Sequence, residues 1–174
     1  DAMKTKSDIK VATAGVTSGG HNAMEAIVAV TGSKYRHVTY DGGNPAVIST
    51  VSGETDATTQ LAVEQAEMIR GKRLRPLATV SDKALEIEGY GVIEPISKTL
   101  TNFKAPANYF GIFIPKGVPA EVVATVELIW STQITNNEAI KKHAVNRGAF
   151  FGPASGEAAQ AAAFPAVQAN AWLL

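Results

Sequence analysis

Residues 10–22 carry the side chains and glycines best suited to bind an anion. A short β-type run leads into a turn rich in Gly, Ser and Thr, and a helical pattern follows. The first turn of a helix presents backbone N–H groups without intrahelical partners at the positive end of the helix dipole. Thr17 and Ser18 add hydroxyl donors, and Gly15 lets the backbone come close to a ligand. This stretch therefore predicts a site for a carboxylate or a phosphate.

Two other interpretations of the same residues stay open at this stage. In one, the glycines only form a tight turn and Ser18 or Thr17 caps the helix. In the other, the sequence Gly15-Val16-Thr17-Ser18-Gly19 has the outline of a nucleophile turn, as in a Thr- or Ser-dependent hydrolase. Such an enzyme also needs a histidine base and a carboxylate, and the nearest histidine is His21.

Composition excludes several other classes of function. The chain has no cysteine, so thiol chemistry and cysteine-based metal sites are absent. Its three histidines are scattered and its acidic residues form no ligand cluster, so we expect no metal site. The Gly15–Gly20 turn is followed by His21-Asn22 rather than Lys and Ser or Thr, and no G-x-G-x-x-G is present, so we expect no nucleotide cofactor.

Charge and hydropathy also limit the partners. Sixteen basic and sixteen acidic residues cancel in this chain of 174 residues, which argues against a nucleic-acid partner. No apolar run approaches the roughly 20 residues that span a bilayer. The first residues of the chain do not form a signal peptide.

Strand-type and helix-type segments alternate through residues 1–80, which we interpret as one α/β lobe. Strands are predicted over residues 10–14, 35–40, 55–59 and 74–80, and helices over residues 21–31, 44–52 and 62–70. Short connections between them predict a mainly parallel sheet with helices on both faces. Ligands bind such sheets at the carboxyl ends of the strands, where three polar turns converge. The candidate ligand-binding residues are Gly15, Thr17, Ser18, His21, Asp41, Gly42, Gly43, Thr58, Thr59 and Gln60.

The second half of the chain is less regular. Residues 81–108 are rich in Pro, Gly and charge, and we interpret them as a crossing segment. Residues 109–115 form a strongly apolar run that predicts a strand, and residues 149–151 predict a short one. Helices are predicted from Pro119, after Asn136 or Asn137, and from Ser155 to Leu174. Residues 109–174 are predicted to belong to a second, incomplete lobe.

Five segments taken together resemble the solute-binding proteins of tripartite tricarboxylate transporters. They are AGVTSGGH at 14–21, YDGGNPA at 40–46, GETD at 53–56, GKRLRPLA at 71–78 and YFGIFIPKGVPAEVV at 109–123. The resemblance implies a fold like that of type II periplasmic binding proteins and a location in the bacterial periplasm. It also implies a receptor, not an enzyme, that holds a small carboxylate between two lobes and delivers it to membrane permease subunits.

The same resemblance indicates two departures and one missing part. The family often has a lysine where Asp41 stands and an aspartate where Gln60 stands. A negative charge beside the predicted anion site favours a ligand that carries an amine or a hydroxyl. In the family an N-terminal stretch precedes the segment that begins here, so we expect the first lobe to be completed by that missing half or by self-association.

Overall fold

The computed structural model describes residues 2–6 and 8–171. Its helices are α1 (Ala2–Thr5), α2 (Gly19–Thr31), α3 (Gly43–Val51), α4 (Ala62–Arg70), α5 (Ala120–Ile129), α6 (Glu138–Asn146) and α7 (Gly156–Asn170). Its strands are β1 (Lys10–Thr13), β2 (Arg36–Thr39), β3 (Ala57–Thr58), β4 (Leu85–Ile87) and β5 (Gly91–Ile93). A 3₁₀ turn covers Ile96–Lys98, and a π-helical turn over Trp130–Ile134 follows α5 directly.

The first three strands form a parallel sheet in the order β2-β1-β3. Val11, Ala12 and Thr13 of the central strand are each at most 1% exposed. Successive side chains of a strand point to opposite faces, so burial of all three shows that both faces are covered. Helix α3 packs against β1 and β3. The predicted α/β class with a parallel sheet is confirmed.

The ends of α2 show how the sequence limits this helix. It begins at Gly19, two residues before the predicted start, and Ser18 is its N-cap. Gly32 ends it in the left-handed conformation, with φ 64°, and donates its N–H to the carbonyl oxygen of Val28. Glycine suits this position because it has no Cβ to clash with the backbone.

Helix α3 begins one residue before its predicted N-cap. Gly43 is its first residue and Gly42, with φ 111°, takes the N-cap position that the sequence assigned to Asn44. Only glycine adopts this backbone angle readily, so the chain enters the helix at Gly42. Pro45 then lies in the first turn, where its missing N–H leaves no helical bond unmade.

Residues 74–80 do not form the predicted fourth strand. Thr79 makes one isolated parallel bridge to Pro95, and Leu77 is 78% exposed. Pro76 has no N–H to donate, which weakens any ladder built through this segment.

Residues 81–108 contain more structure than the crossing segment that the sequence predicts. Strands β4 and β5 form an antiparallel hairpin whose buried side chains pack on helix α4. This cluster contains Ala66, Ile69, Leu85, Ile87 and Ile93. Arg70 fixes the same helix to the hairpin turn, because its Nε donates to the carbonyl oxygen of Glu88 at 2.8 Å. A second guanidinium nitrogen donates to the carbonyl oxygen of Asn146 at the end of α6.

The apolar run at residues 109–115 is not a strand, and neither are residues 149–151. Large side chains in the first run are exposed, among them Phe110 at 77% and Phe113 at 78%. A strand needs a hydrogen-bonding neighbour, and within residues 2–6 and 8–171 none lies beside these segments. The division into a lobe at residues 1–80, a crossing segment at 81–108 and a second lobe at 109–174 remains a prediction.

The C-terminal helices follow the sequence closely. Of the two predicted caps, Asn136 and Asn137, it is Asn137 that caps α6, and its Oδ1 accepts from the N–H groups of Ala139 and Ile140. Helix α7 follows Ser155, and its predicted extension to Leu174 lies outside the described residues. No helix in the described part of the chain is long and apolar enough to cross a bilayer.

Helix α2 and the end of β3 meet at Gly20. A Cβ atom at this position would overlap the backbone carbonyl oxygen of Thr59. We therefore expect Gly20→Ala to lower the free energy of unfolding by about 1–3 kcal/mol, the usual cost of overpacking. Urea denaturation measures this change.

Gly19→Ala is the matched control on the same turn of the helix. The three atoms nearest to a Cβ at Gly19 all belong to the amide end of Asn108, from 2.8 Å away, and that side chain can rotate. We expect this variant to change the free energy of unfolding by less than about 1 kcal/mol, since alanine also favours the helix. Equal losses in the two variants would contradict the close approach at Gly20.

Candidate ligand-binding site

A cavity of about 410 Å³ opens at the carboxyl ends of β1 and β2. It is lined by Ala14, Gly15, Val16, Thr39, Tyr40 and Asp41. Two of the three predicted turns therefore meet here, as expected for adjacent parallel strands. The sequence analysis selected Gly15 and Asp41 but missed the other four residues. Only their position in the chain could have identified them, because each lies within two residues of Gly15 or Asp41 at the end of a strand.

One wall of the cavity is formed by Gly15 and Val16 of the β1–α2 loop. Gly15 has φ 127°, and its carbonyl oxygen accepts from the N–H of Ser18 at 3.3 Å. Within the described residues no group accepts a hydrogen bond from the N–H of Gly15 or Val16. Two adjacent N–H groups without partners form a suitable place for a carboxylate or phosphate oxygen.

Thr17 lies in the left-handed region, with φ 62°, and its side chain is exposed. This conformation is strained for a β-branched residue. Its N–H donates to Nδ1 of His21 at 3.0 Å, so the neutral imidazole carries its proton on Nε2. Because this hydrogen bond occupies the N–H of Thr17, the prediction that Thr17 binds the ligand now concerns its hydroxyl group.

Ser18 has a structural role that the sequence left open. Its Oγ accepts from the N–H of His21 at 3.3 Å and caps helix α2. The hydroxyl proton of Ser18 is not used by that bond, so its predicted role toward a ligand remains a prediction.

Within the described residues, His21 is not placed as a base for the hydroxyl of Thr17 or Ser18. Nδ1 of His21 accepts from the backbone of Thr17, and Nε2 lies 3.6 Å from Oε1 of Glu25. In the described residues, neither ring nitrogen is hydrogen-bonded to the hydroxyl of Thr17 or Ser18. Within the described residues, no group of three His, Cys, Asp or Glu side chains is placed to hold a metal ion.

A second histidine, His37 of strand β2, lies directly against the first. The rings of His21 and His37 are stacked, with centroids 4.2 Å apart and planes 3° from parallel. Nε2 of His37 lies 2.6 Å from Oγ1 of Thr13, which itself donates to the carbonyl oxygen of Gly15 at 3.2 Å. Because that hydroxyl proton is already used, His37 is the donor to Thr13. The stack thus supports the loop that lines the cavity.

The ionisation of this cluster follows from its burial. Burial lowers the pKa of His37, and the nearby imidazole of His21 lowers it further, while Glu25 acts in the opposite direction. Tyr35 donates to Oε1 of Glu25 at 2.7 Å, and burial together with this carboxylate raises the pKa of Tyr35. His37 is therefore held in its neutral form.

The start of helix α3 is occupied by a carboxylate of the chain itself. Gly42 and Gly43 were predicted to form a wall for the ligand, but a Cβ at Gly43 would overlap the carboxyl group of Glu64. Gln60 holds this carboxylate when its amide is oriented to satisfy both neighbours. Its nitrogen then donates to Oε2 of Glu64 at 3.2 Å, and its oxygen accepts from the N–H of Ala14 at 2.6 Å.

The third predicted turn lies on the other side of β1. The hydroxyl of Thr58 donates to the carbonyl oxygen of Ala12 at 3.0 Å. The carbonyl oxygen of Thr59 lies close to the backbone of Gly20. Thr58, Thr59 and Gln60 do not line the described cavity. Of this turn, only Gln60 connects to the cavity, through Ala14.

Comparison with known proteins decides the family. The model of the tripartite tricarboxylate transporter family receptor matches residues 2–172. The chain belongs to this receptor family. A UPF0065 protein from the tcbD-tcbE intergenic region of Pseudomonas sp. (strain P51) is 29% identical over 123 residues, which are 70% of this chain and 36% of that protein.

Solved structures with the same fold agree with this membership. A TctC solute-binding protein from Polaromonas, solved with no ligand, superposes with a TM-score of 0.73 at 24% identity, over 99% of this chain and 58% of that one. R. palustris Rpa4515 with adipate gives a TM-score of 0.81 at 18% identity, over 95% and 54%. A periplasmic transporter gives 0.80 at 18% identity, over 98% and 55%. This member of the receptor family thus spans little more than half the length of its solved relatives.

The lowered pKa of His37 predicts a pH-dependent stability. The folded state disfavours the charged ring, so its contribution is fully present above the ordinary pKa of 6.5 and is lost as the pH falls toward the lowered value. We expect the free energy of unfolding to fall between about pH 7 and pH 5. Urea denaturation across this range measures it.

His37→Gln keeps an N–H donor for Thr13 but cannot be charged, so we expect a flatter pH profile in this variant. His143→Gln on the exposed face of α6 is the matched control and keeps the profile of the original chain. A His37→Gln profile identical to that of the original chain would show that His37 does not titrate in this way.

Proposed function

We propose that this chain binds a small carboxylate at the carboxyl ends of β1 and β2 and serves as the solute receptor of a tripartite transporter. The ligand lies between this lobe and the lobe completed by the rest of the protein. The receptor works in the bacterial periplasm and passes its ligand to membrane permease subunits. It acts as a receptor rather than as an enzyme.

The observation that carries the proposal is the pair of N–H groups at Gly15 and Val16 in the wall of the cavity. They have no acceptor in the described residues, and they lie just before the N-terminus of helix α2. A carboxylate placed there accepts two charge-assisted hydrogen bonds and lies at the positive end of the helix dipole. The hydroxyls of Thr17 and Ser18 lie in the same loop.

Relatives support the same class of ligand. R. palustris Rpa4515, which shares the fold, is described with adipate, a small carboxylate. Membership in the receptor family supports the transporter as partner.

The exposed apolar run at residues 109–113 supports a further lobe as the second wall of the site. Its four large side chains are 55–78% exposed, a stretch of apolar surface that is usually covered in a complete protein. The solved relatives contain a further part that this chain does not match, since the chain covers 54–58% of their length. We propose that this missing half, or a second copy of the chain, covers these residues.

Gly15→Ala tests the proposed carboxylate site. A Cβ at Gly15 meets no atom within 4 Å, so it projects into open space beside the cavity, and φ 127° strains any other residue. We expect at least tenfold weaker binding of hexanoate, which corresponds to the loss of one charge-assisted hydrogen bond of roughly 1.5 kcal/mol. Isothermal titration calorimetry on the chain measures this affinity.

Gly53→Ala is the matched control, because Gly53 also has a positive φ of 84° and open space around it but lies at the far end of α3. We expect both variants to lose similar stability and only Gly15→Ala to lose affinity. Equal affinities of the two variants for hexanoate would place the ligand elsewhere.

A further inference from the structure

We propose that Asp41 and Glu64 make this site selective for a carboxylate whose far end carries an ammonium or a hydroxyl group, and that they exclude a second carboxylate. The inference rests on the proposed function and names the class of its ligand. It is carried by the position of two carboxylates that have no cation beside them.

Glu64 covers the start of helix α3. Its carboxyl group lies so close to Gly43 that a Cβ there would overlap it, and Gly43 itself is buried. Gln60 holds the carboxylate from the other side and is anchored to Ala14 in the cavity wall. A negative charge of the chain itself thus lies beside the first residue of helix α3, where a second carboxylate of a ligand would meet a like charge.

Asp41 adds a second negative charge on the same side of the site. It lies in the cavity wall two residues before Gly43, and its side chain is exposed. Among the described residues, no Lys, Arg or His nitrogen lies within 4.0 Å of the carboxylate of Asp41 or of Glu64. The six residues that line the cavity include no basic side chain either.

The two walls of the cavity thus differ in what they recognise. The wall at Gly15 and Val16 offers N–H donors, which suit one carboxylate. The wall that ends in Asp41 offers an acceptor with a negative charge, which suits an ammonium or a hydroxyl. A dicarboxylate would bring its second charge toward two like charges, which disfavours binding. A ligand with one carboxylate and one donor satisfies both walls.

Three ligands of equal chain length test this selectivity on the chain itself. They are 6-aminohexanoate, 6-hydroxyhexanoate and adipate, which differ only in the group at the far end. Isothermal titration calorimetry at pH 7.5 and low salt measures their affinities. We expect 6-aminohexanoate to bind at least tenfold more tightly than adipate, with 6-hydroxyhexanoate between them. Salt should narrow the difference, because it screens the charges.

Variants identify which residues cause the preference. Asp41→Asn and Glu64→Gln remove one charge each and keep the size of the side chain, so we expect each to reduce the preference for 6-aminohexanoate over adipate by threefold or more. Glu54→Gln removes an exposed charge from the end of α3 and is the matched control, which keeps the preference.

The outcomes separate this inference from the proposed function. Adipate affinity equal to or above that of 6-aminohexanoate overturns the inference and leaves carboxylate binding intact. A preference that survives both variants unchanged also overturns it. If none of the three ligands binds, the proposed function itself fails, and the inference fails with it.

Discussion

The burial of Val11, Ala12 and Thr13 in β1 is the constraint on which the rest of the structure depends. Val11, Ala12 and Thr13 lie in the central strand of the parallel sheet, and both faces of the sheet are covered there. The first residues of the chain that can contact a ligand therefore follow the end of β1. At Gly20, helix α2 lies directly against the carbonyl of Thr59. This contact fixes the short loop between β1 and α2. This loop holds the N–H groups of Gly15 and Val16 at the sheet edge. Fold and candidate site are therefore consequences of one buried strand.

The sequence predicted this lobe well where local patterns carry the information. Alternating strands and helices, the cap at Asn137 and the stop at Gly32 follow from residue type and spacing, because each depends on near neighbours. The failures depend on partners distant in the chain. Among the residues that the structure describes, the apolar run at 109–115 has no neighbouring strand. Pro76 interrupts a segment whose remaining pattern favours a strand. A hydrophobic pattern indicates which residues are buried in a complete fold, but it does not show which other residues pack against them.

The candidate site shows the same division. Gly15 and Asp41 were predicted from the turns that end parallel strands, and they line the cavity. The sequence could not show that Glu64 covers Gly43, because this contact joins two helices through a side chain with no local signature. Nor could it show that His21 accepts a hydrogen bond from Thr17 and stacks on His37. These contacts underlie the proposal that one wall of the site offers N–H donors and the other a carboxylate.

The central claim is that the N–H groups of Gly15 and Val16 hold the ligand's carboxylate. Amide chemical shifts in a ¹⁵N-labelled chain titrated with 6-aminohexanoate test it most directly, because each N–H reports its own hydrogen bond. We expect the largest saturable shifts at the amides of Gly15 and Val16, and a smaller shift at the Thr17 amide, which is already bonded to His21. Saturable shifts centred on another surface, with these two amides unchanged, would contradict it.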